Sequence, residues 1–179
     1  MATESSPATR SRYSFASMAL SLGIVLGIVV LVVLLLPRSH YNAVKQIDPT
    51  EVIVAAQRVA PYHVLAPSGL PSSWQPTSAR VEGPDEQHVV HLHVGYYTPR
   101  GAYAAVEESN GDRVPFLELE TAHGKLTGQR PIGTAVWETR YSANQKDRSL
   151  DVRTRDGATV IVTGSAQYDE LAQLAASLR

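Results

Sequence analysis

The chain has 179 residues, a formal net charge of −1, 44% apolar residues and no cysteine. That length suits one domain, and the balance of 16 basic against 17 acidic residues excludes a basic nucleic-acid binder, which would need clustered Lys and Arg. The lack of cysteine removes disulfides, thiolate nucleophiles, Cys-ligated zinc and a lipidated cysteine together.

The apolar residues are unevenly spread. Residues 15–36 form a 22-residue run with 18 apolar residues and no charge. As a helix the run extends about 33 Å, against about 30 Å for the hydrocarbon core of a bilayer. It ends Leu34-Leu35-Leu36-Pro37-Arg38 with no small-x-small cleavage site, and it exceeds the roughly 7–15 apolar residues of a signal peptide. It therefore predicts an uncleaved single-pass anchor in the plasma membrane. Beyond it, 39% of residues 38–179 are apolar, which suits a lean globular core. The chain then reads as a disordered cytoplasmic tail (1–14), a transmembrane helix (15–36), a linker (37–48) and an extracytoplasmic domain (49–179). Arg10 and Arg12 before the run match Arg38 and Lys45 after it, so charge alone sets no orientation. N-terminus inside is the usual arrangement for such a layout. Ala19, Gly23 and Gly27 recur every four residues, and Gly23 to Gly27 is a GxxxG match. This predicts a stripe for helix contact, with a second copy or another span; the alternative is small residues facing lipid.

Asp48-Pro49-Thr50-Glu51 predicts a helix start, with Val52, Ala55, Ala56 and Val59 as its apolar stripe and Pro61 as its stop. Tyr62 to Leu65 reads as a short strand, and 67–76 as a loop pinned by Leu70 and Trp74. Strands follow over 77–82 and 87–97. In the second, Val90, Leu92, Val94 and Tyr96 share one face; Val89, His91, His93 and Gly95 share the other. Thr98-Pro99 predicts a short helix through about Glu108, closed by Asn110-Gly111. Residues 112–132 are ambiguous: 115–122 reads as a helix ending at Gly124, but 116–120 also alternates as a strand. Strands over 134–142, 149–155 and 158–164 form a meander with a tight turn at Asp156-Gly157. A last helix is capped by Ser165 or a neighbour, has Asp169 and Glu170 in its first turn, and buries Leu171, Leu174, Ala175 and Leu178. The sum is an α+β domain: a mostly antiparallel sheet of about six strands packed with N- and C-terminal helices. Its topology looks like that of Mog1/PsbP-type domains, an analogy of fold that carries no activity.

The run His88-Val89-Val90-His91-Leu92-His93 is the most suggestive chemically. His91 and His93 sit on one strand face, about 7 Å apart at Cα, where two imidazoles can chelate zinc or copper. His88 has the opposite parity, and the sequence nominates no third ligand. The plainer reading is a polar outward face. Glu107, Glu108, Glu118 and Glu120 read as solvated acids, and Lys146, Arg148, Arg153 and Arg155, with the interleaved Asp147, Asp151 and Asp156, as a solvated face of mixed sign. Trp74, Tyr96, Tyr97, Tyr103 and Trp137 line either a groove or the core. No nucleophile elbow, P-loop, GxGxxG, HExxH or EF-hand pattern occurs.

The Leu-Leu-Leu-Pro-Arg exit from one span, Pro67-x-x-Leu70-Pro71-x-x-Trp74, Gly95-Tyr96-Tyr97-Thr98-Pro99, the Trp137 strand and Gly164 before a last helix resemble an actinobacterial single-pass membrane family. It is the domain-of-unknown-function family four-two-four-five. The resemblance spans nearly the whole chain from about Tyr13. It implies an extracytoplasmic domain in a cell envelope and transfers no catalytic residue. The expectation is a non-enzymatic, membrane-anchored domain without a cofactor, binding or scaffolding another envelope component and no nucleic acid. The alternatives are a small-ligand or lipid-binding domain, and a metal-binding domain using His91 and His93.

Overall fold

The computed structural model describes residues 18–28 and 46–179. Contacts divide the chain into two units, Met1–Asn42 and Ala43–Arg179. In the first, residues 18–28 are helical. Side chains built at Gly23 or Gly27 would meet nothing within 4 Å. The expected tail (1–14), the linker as far as residue 45 and the two flanks of the expected span, 15–17 and 29–36, lie outside the described residues. Among the described residues no helix is long and apolar enough to cross a membrane.

The second unit is built from α1 (Thr50–Val59), β1 (Gln75–Glu82), β2 (His91–Tyr97), β3 (Tyr103–Ser109), α2 (Arg113–Glu120), β4 (Lys125–Ile132), β5 (Ala135–Ser142), β6 (Asp147–Arg153), β7 (Thr159–Gly164) and α3 (Tyr168–Ser177). The strands form one seven-stranded sheet in the order β1-β2-β3-β7-β6-β5-β4, antiparallel throughout. The α+β class and the covering terminal helices match the expectation. The strand count rises from about six to seven, for two local reasons.

The expected helix of 98–108 is instead a turn followed by β3. Thr98 N–H donates to Ala102 O (2.8 Å) and Gly101 N–H to Thr98 O (2.9 Å), closing a hairpin. Thr98-Pro99 imitates a helix start, yet the residues after it alternate, and β3 is buried on both faces. Within 112–132 both readings hold in turn: α2 takes the first part, and a tight turn with Ala122 and His123 at positive φ leads into β4. The expected strand at Tyr62–Leu65 is an extended segment outside the sheet, held by Asp156, which accepts His63 N–H (2.6 Å), and by Glu108, which accepts Leu65 N–H (3.1 Å). Asp48 does serve α1, accepting Thr50 N–H at 2.9 Å. Ser165 does not cap α3; its hydroxyl accepts Tyr103 N–H, and Gln167 occupies the cap position without a side-chain bond.

Alternation separates two faces. Leu92, Val94, Val106, Val160, Val162 and Leu150 lie on the face that receives Ala56 of α1 and Leu171 and Leu174 of α3, and all are at most 1% exposed. Each large aliphatic side chain there contributes roughly 1.5–3 kcal/mol by leaving water. Trp74 and Tyr96 belong to this core rather than to a groove, while Trp137 belongs to it and also borders a cleft. The opposite face carries His91, His93, Glu107, Thr163, Ser149 and Asp151, with α2 against β7 on that side.

Candidate functional site

The polar face holds the site. Antiparallel register sets His93 of β2 directly opposite Glu107 of β3. His93 Nδ1 lies 2.5 Å from Glu107 Oε1, and His91 Nε2 lies 3.0 Å from Glu107 Oε2. Both ring nitrogens donate to the carboxylate, so a single acid clamps both histidines. The Glu107 side chain is only 4% exposed. Burial pushes the Glu107 carboxyl up, but the hydrogen bonds and charge of His91 and His93 outweigh it and hold the group below the ordinary carboxylate range.

His93 Nε2 faces Ser78 Oγ of β1 at 2.9 Å and Tyr103 Oη at 3.4 Å. With Nδ1 donating to Glu107, Nε2 of the neutral ring accepts from the Ser78 hydroxyl, which selects one of the two neutral tautomers. Gly95 makes this approach possible: a Cβ there would stand 2.3 Å from Ser78 Oγ and 2.5 Å from Tyr103 Oη. The order hydroxyl, imidazole, carboxylate is that of an activated nucleophile. However, the Ser78 hydroxyl is packed on Gly95 and Tyr103 and does not line the adjoining cleft. The array holds the His93 ring and Glu107 in place.

Helix α2 supplies the remaining groups. Phe116 meets the His91 ring edge-on, with centroids 5.1 Å apart at 86°. Glu120, one turn later on the same helix face, is half-buried, and burial, then the Glu107 charge, raises its carboxyl above the ordinary value. One ligating atom each from His91, Glu107 and Glu120 lie within 4.8 Å of one another. An open cleft of about 480 Å³ adjoins them, with His93, Glu107 and Glu120 in its wall and Arg80, His123 and Asn144 around it.

The structure thus brings His91 and His93 together, as their spacing implies, but corrects their setting. They do not form an outward solvated face, since His93 is 6% exposed. Glu107 and Glu108 are likewise buried, not solvated. Glu108 points to the apolar face, and burial lifts it to about 8. Glu118 is exposed and pairs with His123 (2.6 Å). Of the mixed-sign group, Asp151 is fully buried, while Arg148 lies over the Tyr141 and Tyr168 rings. The roles of Glu107 and Tyr103 escape the sequence reading because 103–109 reads there as helix, that of Glu120 because it lies in the ambiguous stretch 112–132, and Ser78 is not singled out at all. The signal was the parity of Tyr103, Ala105, Glu107 and Ser109.

A family described as "Protein of unknown function (DUF4245)" matches residues 10–178. The chain belongs to this family. That agrees with the resemblance drawn from the span exit and the Leu-Pro-x-x-Trp element. No curated protein matches the chain. Among solved structures, this DUF4245 chain is similar to one in the Pseudomonas aeruginosa MucA/MucB complex, at 18% identity and a TM-score of 0.34. The match covers 65% of this chain and 35% of that one, about a third of its length.

Proposed function

We propose that this DUF4245 protein is a non-enzymatic binding domain, tethered to the plasma membrane through residues 15–36, with its N-terminus inside and its C-terminal domain outside the cytoplasm. Its recognition site is the polar cleft beside β2, β3 and the end of α2, and its ligand belongs to another component of the cell envelope. The observation that carries the reading is the pre-arranged polar wall of that cleft. Glu107 is buried with both oxygens engaged, beside an open volume of about 480 Å³, and recognition sites combine concavity with a few fixed polar groups. A lipid pocket between sheet and helices is less well supported: the centre of that interface is filled by fully buried side chains, and the cleft of about 620 Å³ at its edge, bordered by Ile132, Val136, Trp137, Ala175 and Leu178, is open and also carries Arg153 and Arg155. The uncharged apolar run supports the tether, and open space beside Gly23 and Gly27 supports close approach of a second helix there.

A photo-cross-linking residue placed at His123 or Asn144, on the cleft rim, tests the reading in native membranes, with Glu51 on α1 as the control position. An adduct formed from the rim and absent from Glu51 is expected. Recovery of the lone chain from all three positions sinks the proposal.

A further inference from the structure

We propose that His91 Nε2, Glu107 and Glu120 bind one divalent first-row metal ion, zinc foremost, with the fourth coordination position open to the cleft. The inference deepens the reading of the cleft as a recognition site, and rests on it only for the fourth ligand.

Three observations support it. The first is convergence: three elements, β2, β3 and α2, each deliver one ligating atom into a space 4.8 Å across. Tetrahedral zinc with ligands at about 2.0–2.2 Å needs ligand atoms slightly over 3 Å apart, close to the 3.0 Å between His91 Nε2 and Glu107 Oε2, where the metal takes the place of the proton that Nε2 donates and that proton leaves to solvent. The second is the outer layer. Ligating carboxylates and imidazoles are held by hydrogen bonds from behind, and here Ser78 fixes His93, His93 fixes Glu107, and Phe116 fixes the plane of the His91 ring. His93, one of the two histidines nominated from sequence, is therefore a positioning residue rather than a ligand. The third is charge. Two carboxylates, Glu107 and Glu120, converge on one point, and the guanidinium that acts on Glu120 is that of the exposed Arg80. A divalent cation balances the two carboxylates. The donor set of one imidazole and two carboxylates suits zinc, with manganese as a competitor, and three protein ligands leave the position that zinc fills with water or a ligand group.

The test uses the full-length chain in mild detergent, stripped of metal by chelator and titrated with zinc chloride in a calorimeter. One zinc per chain, with a dissociation constant of micromolar or tighter, is expected. Glu120→Gln is the main variant, because the Glu120 side chain makes no hydrogen bond among the described residues, so the fold should survive the change, checked by unchanged melting without metal. It should weaken zinc binding at least tenfold, as should His91→Gln. His93→Gln should weaken it about 10–100-fold, in line with an outer-layer partner, and His123→Ala should leave it within twofold. Absence of saturable binding tighter than 100 µM overturns the site, as does undiminished affinity in Glu120→Gln. Loss of binding in His123→Ala alone also overturns it, by moving the metal to the exposed His123–Glu118 pair. If zinc fails to bind while rim cross-links persist, the metal proposal falls and the cleft reading stands. Zinc binding without rim cross-links gives the reverse.

Discussion

Two charge clusters lie on the same face of the sheet, one on each side of β7, and they solve burial differently. In the first, Asp151 is fully buried and accepts from Arg140 Nε (2.7 Å) and Arg113 Nη2 (2.6 Å), while Glu138 accepts from Arg140 Nη2 (2.7 Å). Two carboxylates face two guanidinium groups, so the cluster closes on itself. In the second, Glu107 and Glu120 face His91 and His93, whose charge depends on a proton, and the exposed Arg80 acts on Glu120. The first cluster is a structural joint that pins α2 to β6. The second keeps unspent negative charge at the wall of a cleft. A third buried carboxylate, Glu108, sits on the apolar face with one oxygen accepting Leu65 N–H and the other without a partner among the described residues. Burial there favours its protonated form.

The contrast breaks most sharply at Arg140. Arg140→Met leaves Asp151 buried against a reduced partner set, and should cost about 3–5 kcal/mol, as removal of one member of a buried pair does. Urea unfolding measures it. Next comes Glu108. Its folded value of about 8 stands above the ordinary 4.5, raised by burial and then by the Asp156 charge. The protonated form therefore favours the fold. The stability it contributes is complete below about pH 4.5 and is lost as pH rises through 8. Wild type should lose roughly 2–4 kcal/mol across that window, and Glu108→Gln should flatten the loss; urea melts at pH 5, 7 and 9 compare the two. Gly95→Ala drives a methyl into Ser78 and Tyr103, and should cost about 1–3 kcal/mol by overpacking. It should also release the single His93 tautomer, seen in imidazole nitrogen shifts. Least affected is the exposed pair of the α2 turn: His123→Ala removes a contact to Glu118 with both side chains more than half exposed. Its thermal melt should match wild type within about 0.5 kcal/mol.

Most of the scaffold was legible in the residues. The stripe of Val52 and Ala56 and that of Leu171, Leu174 and Ala175 located both covering helices, although Val59, expected in the first stripe, is 43% exposed. Alternation along 89–97 placed Leu92 and Val94 in the core. Capping logic worked at Asp48 and misled at Thr98-Pro99 and Ser165. A hydroxyl beside proline or glycine suits a turn as well as a helix start, and the choice belongs to the neighbouring strands. The site was half legible. The i, i+2 spacing of His91 and His93 foretold their common direction. Their partner Glu107 was read as solvated, because acids are seldom buried unless paired, and its pairing crosses a strand boundary that local pattern could not place. Glu120 depends on where α2 stops, within the one stretch that reads equally as helix and strand.

The strand order implies that the domain is divisible. Strands β1 to β3 and strands β4 to β7 are each a run of consecutive neighbours, and the two runs adjoin only where β3 pairs with β7. The link between them carries α2 and then the tight turn of residues 121–124. A backbone nick in that turn would yield two complementary pieces, each an uninterrupted stretch of sequence. They would meet along the β3–β7 ladder, locked by Arg113 from one piece onto Asp151 of the other. His91, Glu107 and Glu120 would all travel with the first piece, so the candidate ligand set is encoded within 30 consecutive residues and is inherited whole by one half of the sheet.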